Sequence, residues 1–130
     1  MKFLCLICAE KVMEQMPEAD AAAHFDEYLE FTAAIRDSGH FAGCNRLLPP
    51  ASAVTVRVRD GKLSTTDGPY AETKEQLGGY YVIDARDLNE AIRVAARIPG
   101  ARLGCVEVRP VAEDATTLRA LGLPGAAAHP

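Results

Sequence analysis

The chain opens on an apolar run in which both alternating sets are hydrophobic: Phe3, Cys5 and Ile7 on one side, Leu4, Leu6 and Cys8 on the other. A strand with two apolar faces needs cover on both, so Lys2 to Cys8 is expected to lie centrally in a sheet. Glu10 to Met16 reads as an acidic connection ended by Pro17. From Glu18 to Ser38 the period becomes helical. Phe25, Leu29, Thr32 and Ile35 recur at steps of four and three and mark a buried stripe, which Gly39 closes at C′. A second row, His24, Tyr28, Phe31 and Ile35, runs beside it, either as a flank rimming the core or as the polar lip of a cleft.

Phe41 to Leu48 reads as a second strand, interrupted by Gly43 and stopped by Pro49-Pro50. Val54 to Arg59 alternates, with Val54, Val56 and Val58 on one face and Thr55, Arg57 and Arg59 on the other. Asp60-Gly61 is a type I′ hairpin pair, from which Lys62 to Thr66 returns. Ala71 to Gln76 has the composition of about one to two helical turns, and Gly78-Gly79 should stop them and release the strand Gly79 to Asp84. Asp87 with Glu90 reads as a reciprocal capping box. Leu88, Ala91, Ile92 and Ala95 then form the buried stripe of a helix that Pro99-Gly100 ends, and Gly104 to Pro110 is the last strand.

With the hairpin set aside, the order is βαββαβ. That makes an α+β fold, a split βαβ sheet with both helices on one face. Residues 1–111 form this domain, and 112–130 form an extension with a short helix through Leu118 and Leu121 and a Gly-Ala-Pro tail. The helix-free sheet face is too apolar for water, so a homodimer covering it is expected.

Charge and cysteines narrow the classes. Fourteen Lys and Arg against eighteen Asp and Glu give a net −4, with no basic block. Nucleic acid and anionic membrane are therefore not expected partners. Glu10-Lys11 interrupt the first apolar run before it reaches signal length, and nothing approaches the roughly 20 apolar residues of a membrane span. The cytoplasm is the expected location. Cys5 and Cys8 have C-x-x-C spacing, but on a strand that spacing points them to opposite faces. They, with Cys44 and Cys105, read as unbridged thiols. No phosphate-cradling glycine loop, metal-ligand cluster or Ser-His-Asp order stands out, so no cofactor is expected.

The densest chemistry lies in Asp67-Gly68-Pro69-Tyr70-Ala71-Glu72-Thr73-Lys74-Glu75. Turn residues there hold ionisable groups between two strands, a placement suited to binding. A cleft around this loop would draw on Asp67 and Tyr28 as catalytic candidates, and on Arg57, Glu72, Lys74, Arg109 and His24 as ligand-binding ones. An arginine near Asp67 would keep it ionised, whereas apolar walls would raise it toward a general base. The structural alternatives are that Asp67 caps its turn, that Glu72 and Lys74 are solvated, and that Glu107 pairs with Arg57 across the sheet.

The same stretch, followed by Leu77-Gly78-Gly79-Tyr80-Tyr81, resembles the DGPF-type branch of the YCII-related proteins, with Tyr70 in the place of the name-giving Phe. Thr55 to Gly61, Asp87 to Ala91 and Gly104 to Pro110 extend the resemblance over residues 1–111. It implies a ferredoxin-like fold and a dimer of the α/β-barrel type, in a family without a settled activity. The wider family is associated with a His–Asp pair that looks like an acid–base dyad. Counting back from Gly39 places Tyr28 at that histidine position, with His24 one turn earlier. A tyrosine titrating near 10 is a poor neutral-pH base. Two functions follow as expectations. One is a small-molecule-binding protein or acid–base enzyme. The other is a non-catalytic accessory linked to an extracytoplasmic-function sigma factor, a partner that relatives of this type are often encoded beside.

Overall fold

The structure, a computed structural model, describes residues 1–10 and 15–124. Most of the expected Glu10–Met16 connection and the Gly-Ala-Pro tail lie outside the described residues. Along the chain stand β1 (Lys2–Glu10), α1 (Glu18–Asp37), β2 (Phe41–Arg46), β3 (Val54–Arg59), β4 (Lys62–Asp67), β5 (Glu75–Asp84), α2 (Leu88–Ala95), β6 (Cys105–Pro110) and α3 (Ala115–Ala120). Single 3₁₀ turns at Pro50–Ser52 and Pro99–Ala101 join them.

β1 is central, as its two apolar faces require. It pairs antiparallel with β5 on one edge and β6 on the other, and β2 flanks β5. The order β2-β5-β1-β6 is that of an α+β split sheet, compatible with a ferredoxin-like fold. The register sets Phe3 opposite Ile83 and Cys5 opposite Tyr81. These four are buried with Phe31 and Ile35 of α1, Ala91, Val94 and Ala95 of α2, and Ile98. Each fully buried Phe or Ile contributes about 1.5–3 kcal/mol. Leu4, Leu6 and Cys8, on the other face of β1, are only half-buried. Cys5 and Cys8 thus face opposite ways, and all four cysteines are free thiols.

Several local expectations are corrected. The row His24, Tyr28, Phe31 and Ile35 turns toward the sheet, whereas Phe25 and Leu29 are more than half exposed. The two rows compete for one face, and the sheet's aromatic Tyr81 selects the one carrying Tyr28 and Phe31, which pack against its ring. On α2 the buried stripe is Ala91, Val94 and Ala95, and Leu88 and Ile92 stay outside. Residues 71–74 are not helical, and both Gly78 and Gly79 lie within β5, which starts at Glu75. Gly79 is needed for strand approach rather than for a stop: a Cβ there would sit 2.9 Å from the Asn45 carbonyl oxygen. β2 ends at Arg46, two residues short of Leu48.

Other local chemistry holds. Asp60 and Gly61 both have positive φ, 52° and 74°, as a type I′ turn demands. Gly39 closes α1 with φ 80°. Asp87 caps α2 by accepting from the Glu90 N–H at 2.8 Å. The reciprocal half differs, because Glu90 accepts from the Arg86 N–H and from His40 Nε2 at 2.9 Å. Since Ser38 Oγ bonds His40 Nδ1 at 2.7 Å, this chain of contacts fastens the end of α1 to the start of α2. The extension also packs back. Val111 N–H donates to the Lys2 carbonyl, Asp114 caps α3, and Leu118 is buried while Leu121 is exposed.

Candidate functional site

Along the first half of α1 the helix and the sheet part, leaving a cavity of about 510 Å³. Small residues keep it open. Ala9, Ala21, Gly79 and Gly100 contribute little or no side chain to its lining, so the layers cannot fill the gap. Ile7, Phe25, Leu47, Leu48 and Tyr81 make the walls largely apolar. The polar groups are few: His24, Tyr28, Cys44, Asn45, Arg46, Gln76 and Glu10.

Tyr28 is the best-positioned of these. Its hydroxyl oxygen accepts from the Gly100 N–H at 3.0 Å, so its own proton has no acceptor among the described residues. The ring stacks parallel to Tyr81 at 6.4 Å and receives the His24 imidazole edge-on at 5.0 Å. Burial pushes the Tyr28 phenol above its ordinary value, against the opposing pull of the Gly100 N–H. Neutral phenol is therefore the form present near neutral pH, a hydrogen-bond donor and not a base.

The hydroxyls of Thr32 and Tyr81 both spend their protons inside the protein. Thr32 donates to the Tyr28 carbonyl at 2.7 Å, so at the 2.7 Å contact between Thr32 Oγ1 and Tyr81 the tyrosine must donate. Asn45 donates to the Tyr80 hydroxyl, and Gln76 is held by the carbonyls of Ala71 and Thr73. Arg46, exposed at the mouth, makes no ion pair among the described residues.

Of the residues singled out from sequence, the structure brings His24 and Tyr28 together in this cavity. The others are dispersed. Asp67 ends β4 opposite Val54, exposed, and its carboxylate takes no hydrogen bond or ion pair among the described residues. Its turn is held instead by the Gly68 N–H on the Ala53 carbonyl at 2.7 Å and by the Thr55 hydroxyl on the Gly68 carbonyl. Arg57 stands opposite Ser64 on the ribbon, without an ion pair among the described residues, and Arg109 pairs with Glu107 on the main sheet. Neither arginine forms an ion pair with Asp67, and Glu107 does not reach Arg57. Glu72 is exposed and Lys74 reaches Glu10 at 3.4 Å, on the rim of the cavity. The 67–75 loop therefore meets the cavity at its Gln76 end.

Sequence reading missed the β2 contribution of Cys44, Asn45 and Arg46, and it missed Gly100. The available signal was Gly100 itself, where a Cβ would lie 2.6 Å from the Tyr28 hydroxyl. Among the described residues no three His, Cys, Asp or Glu side chains converge as metal ligands, and no helix is long and apolar enough to cross a membrane.

Comparison with known proteins agrees with this architecture. An uncharacterized protein of Rhizobium meliloti (strain 1021) is 42% identical over 78 residues, which is 58% of this chain and 63% of that protein's length. The family model of the YCII-related domain matches residues 1–114, which spans β1 to Asp114, the cap of α3. With the whole split sheet and the α1 cleft inside that match, the chain belongs to the YCII-related domain family.

Proposed function

We propose that this chain, a YCII-related protein of the DGPF-type branch, binds a small molecule with an apolar body and a carbonyl or carboxylate end. The ligand lies in the cleft between α1 and the sheet. One observation carries the reading. The Tyr28 hydroxyl sits half-buried on an apolar-walled cavity with its acceptor side satisfied and its proton unspent. A donor of that kind fixes a ligand oxygen, and the apolar walls supply affinity. His24 lines the same cavity beside the ring, and Arg46 at the mouth offers a charge-assisted contact to a carboxylate. The half-exposed apolar residues Leu4 and Leu6 support the further reading that two copies join through the helix-free sheet face, closing a dimeric α/β barrel.

The test is a panel of small aromatic and aliphatic carboxylates and aldehydes, screened by thermal shift and followed by calorimetry. Tyr28→Phe should fold yet lose the binding, and Asp67→Asn should keep it. The opposite pattern, binding lost with Asp67→Asn and kept with Tyr28→Phe, would move the site to the 67–75 loop.

A further inference from the structure

The β1–β6 ladder ends on two cysteines from distant parts of the chain, with Cys8 directly opposite Cys105. Both are free thiols, and Cys105 is exposed on β6, the edge strand of the sheet. The two side chains share the helix-free face, Cys8 in line with Leu4 and Leu6, Cys105 in line with Glu107 and Arg109. The backbone bonding defines their rung. Pro110, which has no N–H, stands opposite Phe3, and the Val111 N–H donates to the Lys2 carbonyl. Hydrogen-bonded rungs therefore fall at Lys2, Leu4, Leu6 and Cys8. Cα atoms across such a rung are about 5.5 Å apart, inside the window that a disulfide spans. The strands are also held close just beside it. A Cβ on Gly104 would meet Ala9 Cα at 3.0 Å and the Cys8 carbonyl oxygen closer still.

The two thiols act on each other. Burial raises Cys8, and its charge interaction and hydrogen bond with Cys105 raise it further, ahead of Glu107 and Glu75. Desolvation raises Cys105 as well, and Glu75 adds to it by charge and by accepting its proton, against the Cys8 S–H, which lowers it. Both sulfurs stay protonated near neutral pH, so the pair remains reduced until it meets an oxidant. Cβ atoms across a hydrogen-bonded rung stand wider apart than a relaxed disulfide prefers. A bridge there is strained and lies at the surface, and such bridges are the readily reduced ones.

We infer that Cys8 and Cys105 are a peroxide-oxidised dithiol whose reversible disulfide ties the edge strand β6, and α3 behind it, to β1. Exposed Cys105 meets the oxidant first. Its thiolate sulfur attacks one peroxide oxygen, the O–O bond breaks, and the departing hydroxide takes a proton and leaves as water. Cys8 then attacks the resulting sulfenic sulfur and displaces the second oxygen as water. Two thiols lose two electrons, one peroxide becomes two waters, and a thiol reductant such as glutathione reverses the bridge. Closing a loop over most of the chain restricts the unfolded state, so the bridged form is the more stable. The pair lies on the opposite sheet face from the ligand cleft and outside its lining, so the inference stands apart from the binding proposed there.

The experiment uses the full chain carrying Cys44→Ser, which removes the other exposed thiol. After stoichiometric hydrogen peroxide, thiols counted in denaturant should fall from three to one, and peptide mass mapping should find Cys8 joined to Cys105 within one chain. Excess glutathione should restore all three. The oxidised form should melt roughly 5 °C or more above the reduced one. Cys8→Ser and Cys105→Ser, each added to that background, should form no bridge within the chain. Three thiols retained, a bridge to Cys5, or a bridge only between copies would overturn the inference. So would a Cys8–Cys105 bridge that glutathione leaves intact, or one that leaves the midpoint within about 1 °C of the reduced form.

Discussion

Replacing Tyr28 by Phe removes one oxygen and leaves the ring, so it isolates a single hydrogen bond. The ring contacts with His24 and Tyr81 remain, and no cavity larger than the hydroxyl is created. What is lost is the only acceptor that the Gly100 N–H has among the described residues, at a buried position. A buried donor left unpaired costs about 1–3 kcal/mol, and the middle of that range, about 2 kcal/mol, applies to a half-buried partner. For a chain of this length each kcal/mol moves the thermal midpoint by roughly 3–5 °C, so Tyr28→Phe should melt roughly 6–10 °C below the parent. Tyr81→Phe is the internal reference. It removes a donor to Thr32, but the Thr32 hydroxyl keeps its bond to the Tyr28 carbonyl, so the cost should be about 1 kcal/mol or less. Calorimetry and urea unfolding with unchanged m-values would measure both. A Tyr28→Phe midpoint within about 1 °C of the parent, or a larger loss for Tyr81→Phe, would refute the assignment of the Gly100 contact.

Three further outcomes are expected. Gly104→Ala places a Cβ 2.0 Å from the Cys8 carbonyl oxygen and 3.0 Å from Ala9 Cα, so β1 and β6 must separate. A loss of about 3 kcal/mol or more in urea unfolding is expected, against near neutrality for Gly43→Ala, whose Cβ would meet nothing within 4 Å. The hydrogen bond from His40, helped by the Arg86 N–H, holds the Glu90 carboxyl below the usual carboxylate range. Its stabilisation is therefore complete above that range and lost as pH falls through the lowered folded value. The parent's midpoint should drop more steeply than that of Glu90→Gln between about pH 5 and pH 3. Burial pushes the Cys5 thiol up to about 11, while Cys44 is exposed. A thiol reagent should label Cys44 first and Cys5 last in the native protein, and four thiols in denaturant.

The two-sided apolar pattern of β1, the type I′ pair at Asp60-Gly61, the Gly39 stop and the Asp87 cap are local facts, and each was legible without a structure. The central place of β1 followed from the first of them, because a strand apolar on both faces has its place only in the middle. Periodicity was weaker at choosing between neighbouring rows on one helix. Phe25-Leu29 and Tyr28-Phe31 are equally helical in spacing, and only the shape and polarity of the facing sheet select between them. The same limit applied on α2, where small Ala91 and Ala95 allow close packing and push Leu88 and Ile92 outward.

The candidate site was half legible for a related reason. His24 and Tyr28 lie one helical turn apart, so their meeting is written in the chain. Asp67, Arg57 and Arg109 share no element, and density of ionisable residues in sequence says nothing about where side chains converge. Their separation is set by a ribbon that pairs with itself and by Arg109 pairing with Glu107 on the main sheet. Sequence by itself determined the main strands and helices, their order along the chain and the free thiols, but not the start of β5, because propensity, turn chemistry and alternation act over a few residues. Tertiary structure decided which face of each helix is buried and where α1 parts from the sheet. It also set the meeting of the Tyr28 hydroxyl with the Gly100 N–H, 72 residues away. Such contacts depend on the volume and polarity of surfaces that come together only when the chain has closed.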